Sequence, residues 1–406
     1  MADQQQGQAF RRKVFYLPGY DPFHPRRYRE LYRKEGTEQA RLSGYDLRLM
    51  PKKAGGPYGW RVEARIEGQA VQTDMEVLVW SDIVKGSMSE TIPATYLQLL
   101  RTAWAYIGSG ALFRLMRLRK GPMIAALYPI VFLLLQLVVA LGLGWAGYRL
   151  VAHGLHWVPG LPVAAGILWG VLYWFRKKDN KVFAWYLMHD YAYSAQLKGA
   201  NPPELEARMF DFGKQIRAAL DGDYDEVLVI GHSSGAHLGV SILADLIREG
   251  LPDTRPALSF LSLGHVVPMV SFLPGATRLR TDLAYLCTRD EIAWIDVTAP
   301  GDGCAFALCD PVSVSVIPPA GKRWPLVISA AFTQTLSPAR WRELKRRWFR
   351  LHFQYLCAFD NLSGQPGEYD YFRVTAGPQL LGARFAGRSP SKSRIEQTVN
   401  RYRNVA

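Results

Sequence analysis

The sequence predicts an α/β protein with a mostly parallel sheet, interrupted in its first half by an apolar helical hairpin. Three observations lead there. Short apolar runs bounded by turn residues alternate with helical periodicity on both sides of residues 95–182. Within that interval lie two uncharged stretches close to membrane length. After it, a strand, a sharp glycine-framed turn and a helix follow one another around Ser233.

Residues 14–17 (VFYL) form the first strand and run into the turn Pro18-Gly19-Tyr20-Asp21-Pro22. A helix is expected over 26–42, then strands at 45–49, 60–66 and 75–80. Over 95–118, Leu, Trp, Tyr and Phe are mixed with arginines, as in an amphipathic helix that either packs on the body or lies in a membrane interface. Residues 123–148 carry no charge and are long enough to cross about 30 Å of hydrocarbon at about 1.5 Å per residue. The second stretch, 158–175, contains Pro159 and Pro162 and ends in Trp169, Tyr173 and Trp174, so it either crosses or re-enters. A buried core hairpin is the alternative for the pair. Beyond it come a helix at 204–220, a strand at 226–230, a helix at 236–248, strands at 257–263 and 292–298, and a helical stretch at 338–357. The chain thus divides into residues 1–94 as the first part of the α/β domain, 95–182 as cap and hairpin, and 183–406 as the second part, carrying the turn.

With 406 residues, 49% hydrophobic and 21% charged, the chain can bury a large core, and disorder is not the expectation. Its net charge of +14 is unaccompanied by a zinc finger, a helix-turn-helix pattern or an RNA-binding aromatic signature, so no specific nucleic-acid partner is expected. Much of the charge flanks the hairpin, in Arg114, Arg117, Arg119 and Lys120 before it and Arg176, Lys177, Lys178 and Lys181 after it. That distribution suits anionic lipid and puts both flanks in the cytoplasm. Cys287, Cys304, Cys309 and Cys357 show no metal-ligand or disulfide spacing, and the N-terminal residues lack a secretory signal, so the catalytic part is expected in a reducing compartment, without metal or cofactor.

Gly231-His232-Ser233-Ser234-Gly235 fits G-x-S-x-G, in which glycines let a strained turn pass between strand and helix and lift the serine hydroxyl clear of the sheet. A serine hydroxyl needs an imidazole to take its proton and a carboxylate to orient that imidazole. His237 stands on the helix just behind the serine and His265 ends a strand, which suits structural roles. His352 falls late in the chain, where the base is expected. For the acid, Asp302 follows a strand and Asp310 lies farther along, while Asp296 is inside the strand; Asp302 is preferred and Asp310 remains the alternative. The oxyanion site would use the Ser234 amide and one from the early loop at Gly19 and Tyr20.

Taken together, these pieces resemble the α/β-hydrolase superfamily, and within it bacterial membrane-anchored lipase- and esterase-like proteins, over residues 14–82 and 183–385. The resemblance implies an α/β-hydrolase fold, Ser233 as nucleophile, His352 as base, Asp302 or Asp310 as acid, and Gly19, Tyr20 and Ser234 at the oxyanion. The expected activity is hydrolysis of an acyl ester in a lipid or lipid-like molecule, at a bacterial inner membrane and on its cytoplasmic side, with acyl transfer, thioester cleavage or a non-catalytic scaffold as alternatives. One departure is Pro18-Gly19 where many lipases carry His-Gly. Residues 369–372 and 376–378 are expected to close the pocket.

Overall fold

Eight strands form one sheet in the computed structural model, which describes residues 9–52, 55–88, 91–154, 156–253 and 255–405. They are β1 (Phe10–Leu17), β2 (Asp46–Pro51), β3 (Gly59–Ile66), β4 (Gln69–Val77), β5 (Glu226–His232), β6 (Ala257–Leu263), β7 (Ile292–Thr298) and β8 (Leu326–Ser329), in the spatial order β2-β3-β4-β1-β5-β6-β7-β8. From β4 to β8 every pairing is parallel, and β2, β3 and β4 form an antiparallel edge. β1 lies against β5, with Tyr16 opposite Ile230 and Leu17 opposite Gly231, so chain from before and after the hairpin shares one sheet. The expected strand at 75–80 is displaced: β4 begins at Gln69, behind a tight turn in which Glu67 and Gly68 both have positive φ. Two consecutive positive φ values match the right-handed twist of a short hairpin.

All seven residues of β5 are buried, as expected of a parallel strand covered on both faces. Val227 and Val229 face one hydrophobic cluster and Leu228 and Ile230 the other, following the two-residue period of a strand. On the second of these faces α1 (Arg26–Ser43) supplies Tyr28 and Tyr32. Next in the chain come α2 (Ser81–Ser87), α3 (Ile92–Gly108), α4 (Ala111–Leu118), α5 (Lys120–Gly154), α6 (Trp157–Lys177) and α7 (Ala184–Ala195). The first face is covered by α8 (Pro203–Leu220), α9 (Gly235–Arg248) and, beyond the short α10 (Val267–Ser271), α11 (Thr277–Leu286).

The single helix expected at 95–118 is two, because Gly110 takes φ 72° between α3 and α4. α3 turns Leu97, Leu100, Trp104 and Ile107 outward, a stripe at helical spacing. The first turns of α5 are sunk in the body through Pro122, Met123, Ala125 and Ala126. Farther along, α5 packs against α6 where Gly144 meets the Ala164 carbonyl, a close approach that a small residue permits. Both helices are long and apolar enough to cross a membrane, yet only 33% and 11% of their most apolar windows are buried. So exposed a pair is not the core hairpin weighed as the alternative.

Candidate active site

Ser233 sits between β5 and α9 with φ 57°, a left-handed conformation costing an L-residue about 1–2 kcal/mol. The surroundings hold it there. Its amide donates to the Leu263 carbonyl at 2.9 Å, tying the turn to β6. A Cβ on Gly235 would collide with the Leu17 carbonyl oxygen, and one on Gly231 would come within 2.7 Å of the Ala236 Cα. The turn therefore needs its glycines for close approach. On the other side Gly19 presses on the turn, its missing Cβ only 3.0 Å from the Ser233 Cβ and 3.4 Å from the Ser234 nitrogen. Neither the Ser234 amide nor that of Tyr20 donates a hydrogen bond among the described residues. The Tyr20 ring is turned away, with its hydroxyl on Ser87 at 2.7 Å, and its carbonyl accepts from the Tyr186 hydroxyl.

His352 and Asp302 meet across fifty positions of sequence: Nδ1–H of the histidine donates to the carboxylate at 2.7 Å, and both are buried. Asp302 also accepts from the Tyr355 hydroxyl at 3.0 Å and the Cys304 amide at 2.9 Å. Burial by itself would push this carboxyl up, but His352 and these donors outweigh it and hold it below the ordinary value. The other ring nitrogen, Nε2 of His352, is buried and has no partner among the described residues. His352 closes a short helix, Trp348–His352, in the helical stretch expected at 338–357, which forms as three separate short segments. The alternative acid, Asp310, is placed elsewhere. Its carboxylate pairs with Lys322 at 2.7 Å and accepts the Val312 and Ser313 amides, so it has no contact with His352.

Of the remaining histidines, His265 donates its Nε2–H to the Cys309 carbonyl at 2.9 Å and is pushed down to about 4 by burial. Beside it Asp296 accepts from Ser262 at 2.5 Å, and burial pushes its carboxyl well up. His232 has a role that the motif does not show. Its Nε2–H donates to the His352 carbonyl at 3.0 Å, the two rings lie 4.9 Å apart, and burial pushes it down to about 3. It positions the backbone of the dyad.

Ser233, Ser234 and His352 line one cavity of about 70 Å³, whose other walls include Pro122 and Ala125 of α5, Leu187 of α7, Met269 and Phe349. Gly121 rests against Gly303, between Asp302 and Cys304, so the base of α5 abuts the loop that carries the carboxylate. Asp190 on α7 also lines the cavity and has no hydrogen-bond or ion-pair partner among the described residues. Burial pushes its carboxyl up to about 7, against the opposing pull of His352. A raised pKa in the folded chain means a neutral group favoured on folding, so this contribution to stability is full below about pH 4 and lost as pH rises through 7. Asp190→Asn is accordingly expected to melt above wild type at pH 8 and level with it at pH 4, in calorimetric scans. The expected pocket closure by 376–378 does not occur, since the carbonyl of Gly377 binds Arg12 near the start of β1, at the opposite end of the sheet.

Asp302, Cys304 and His352 bring possible metal-ligand atoms within 4.8 Å of one another. Two of the three groups already bond each other, which makes the arrangement a hydrogen-bonded dyad. No family model, curated protein or solved structure matches the chain.

Proposed function

We propose that the chain is a membrane-anchored serine hydrolase of α/β-hydrolase fold, cleaving an acyl ester of a lipid or lipid-like molecule. The observation that carries this reading is the buried Asp302–His352 pair, whose Nε2 has no partner among the described residues and whose histidine lines one cavity with the left-handed Ser233. Ser233 Oγ attacks the ester carbonyl carbon and its proton passes to Nε2 of His352. Asp302 stabilises the imidazolium through Nδ1–H. The negative oxygen is held by the amides of Ser234 and Tyr20, with Gly19 allowing the early loop to come close. As the carbonyl reforms, the alcohol leaves with the proton from Nε2, and a water activated by the same nitrogen releases the acid.

The lipid-like substrate is supported by the cavity wall. Pro122, Ala125, Leu187, Met269 and Phe349 offer an apolar surface to an acyl chain, and two of them belong to the base of α5. Both ends of the α5–α6 hairpin join the same α/β body, which keeps that body on one membrane face, and the basic flanks favour the cytoplasmic one. The outward stripe of α3 would then lie in the interface.

Fluorophosphonate labelling of the detergent-solubilised protein tests the reading. Wild type is expected to label and Ser233→Ala to remain blank. A folded wild type that stays unlabelled sinks the proposal and favours a scaffold. His232→Phe keeps a ring but removes the donor to the His352 carbonyl. Its kcat on a decanoyl ester is expected to fall about 10-fold, the equivalent of one lost buried hydrogen bond, with KM within about 2-fold.

A further inference from the structure

The cavity has a second lobe, and its chemistry differs from the first. Asp190, Ser194, Ser234 and Val270 line both lobes, so the second begins where the Ser234 amide stands. Its volume is about 20 Å³, room for about one compact polar group. Two of its lining groups are buried without a partner among the described residues, the Tyr193 hydroxyl and Nδ1 of His237, and beside them the half-buried Asp190 carboxylate has no hydrogen bond or ion pair among those residues either. Tyr193 and His237 are each 8% exposed. Buried polar groups are ordinarily paired, so two buried orphans beside an unpaired carboxylate on one small lobe point to a missing donor. Burial pushes His237 down to about 4, and with the imidazole proton on Nε2 its Nδ1 is an acceptor. The Tyr193 oxygen accepts as well. The lobe therefore offers a carboxylate and two groups able to accept, and no lysine or arginine is among the described residues that line it.

We propose that this lobe binds a primary ammonium group on the alcohol side of the substrate, with Asp190 as its counter-ion and Tyr193 and His237 accepting its remaining N–H bonds. The inference rests on the serine-hydrolase reading and deepens it: the acyl chain occupies the apolar lobe, the ester carbonyl reaches the Ser234 amide, and the amine lies beyond. An ammonium suits the lobe better than a guanidinium or a quaternary amine because it is compact and carries three donors on one atom. It also returns to Asp190 the charge partner that burial denies it.

The test compares 5-aminopentyl decanoate with hexyl decanoate, which differ by an ammonium in place of a methyl, on the full-length protein in detergent. Wild type is expected to favour the amine by about 10-fold or more in kcat/KM, chiefly through KM. In Asp190→Asn the ratio is expected to fall to about 1, and in Tyr193→Phe to an intermediate value. Lysophosphatidylethanolamine against lysophosphatidylglycerol with the same acyl chain separates the sources of the amine. A preference in that pair identifies a phospholipid head group, and one confined to the first pair identifies a smaller amino alcohol. A wild type that labels with fluorophosphonate but shows a ratio near 1 in both pairs overturns the subsite and leaves the hydrolase standing; the lobe then holds water only. A wild type that neither labels nor turns over any ester overturns the hydrolase, and calorimetric titration with pentylamine then decides the subsite. Binding lost in Asp190→Asn retains it, and no binding to wild type removes it.

Discussion

Asp302→Asn is expected to lower kcat on a decanoyl ester by about 10⁴-fold while leaving the fold intact, the loss characteristic of a serine triad whose histidine loses its orienting carboxylate. The carboxylate accepts from Nδ1–H of His352, from Tyr355 and from the Cys304 amide. An asparagine can turn its own N–H₂ toward Nδ1, which fixes the proton on Nε2 and leaves the imidazole unable to take one from Ser233. Asp310→Asn is the control. It loses the Lys322 ion pair but keeps acceptors for the Val312 and Ser313 amides, so a lower Tm and a kcat within about 3-fold of wild type are expected. The comparison needs only steady-state rates and melting curves of the two variants. Loss of turnover in Asp310→Asn together with an active Asp302→Asn would reverse the assignment.

The elbow was legible in the sequence because its constraints are local. A buried parallel strand, two glycines and an amphipathic helix all fall within residues 226–248, and each leaves a pattern of composition or period. The carboxylate that meets His352 is narrowed only to two candidates, since nothing in the residues around Asp302 and Asp310 tells which one folds toward a histidine far along the chain. His232 was passed over for a related reason: the variable position of G-x-S-x-G admits any residue, and its bond to the His352 carbonyl spans 120 positions. The strands expected at 45–49 and 60–66 form as β2 and β3, and only the start of β4 is hidden, for a different reason. Polar residues of β4 such as Gln72 and Asp74 hide a strand from a search for apolar runs, although the Glu67-Gly68 turn was a signal that could have revealed it. The start of β1 shows the same blindness to pairing. The strand is expected only from residue 14, where the apolar run begins, yet Arg12 is fully buried and Lys13 nearly so.

That buried arginine leads to the largest expected loss of stability. Arg12 stands opposite Glu226 in the β1–β5 register, and its Nε donates to the Glu226 carboxylate at 2.6 Å with both side chains wholly buried. Its two terminal nitrogens donate to the carbonyls of Gly377 and Gln379, while Glu226 accepts also from Ser259 and the Leu381 amide. The pair thus fastens the C-terminal segment to the middle of the sheet. Arg12→Met removes the cation, leaves the carboxylate charged among apolar neighbours and strands two carbonyls, so a loss of about 3–5 kcal/mol is expected in urea unfolding. Removing both charges should cost less than removing one. In the double variant Arg12→Met, Glu226→Leu the uncompensated charge is gone, and although the Ser259 hydroxyl, the Leu381 amide and two carbonyls still lack partners, at least about 1 kcal/mol should return relative to Arg12→Met. Additive single losses would mean that the two residues act through their separate backbone contacts rather than through each other. Since Ser233 follows the same strand β5 that Glu226 begins, the Arg12→Met protein should also lose fluorophosphonate labelling at a lower urea concentration than wild type, by the same interval that separates their unfolding midpoints.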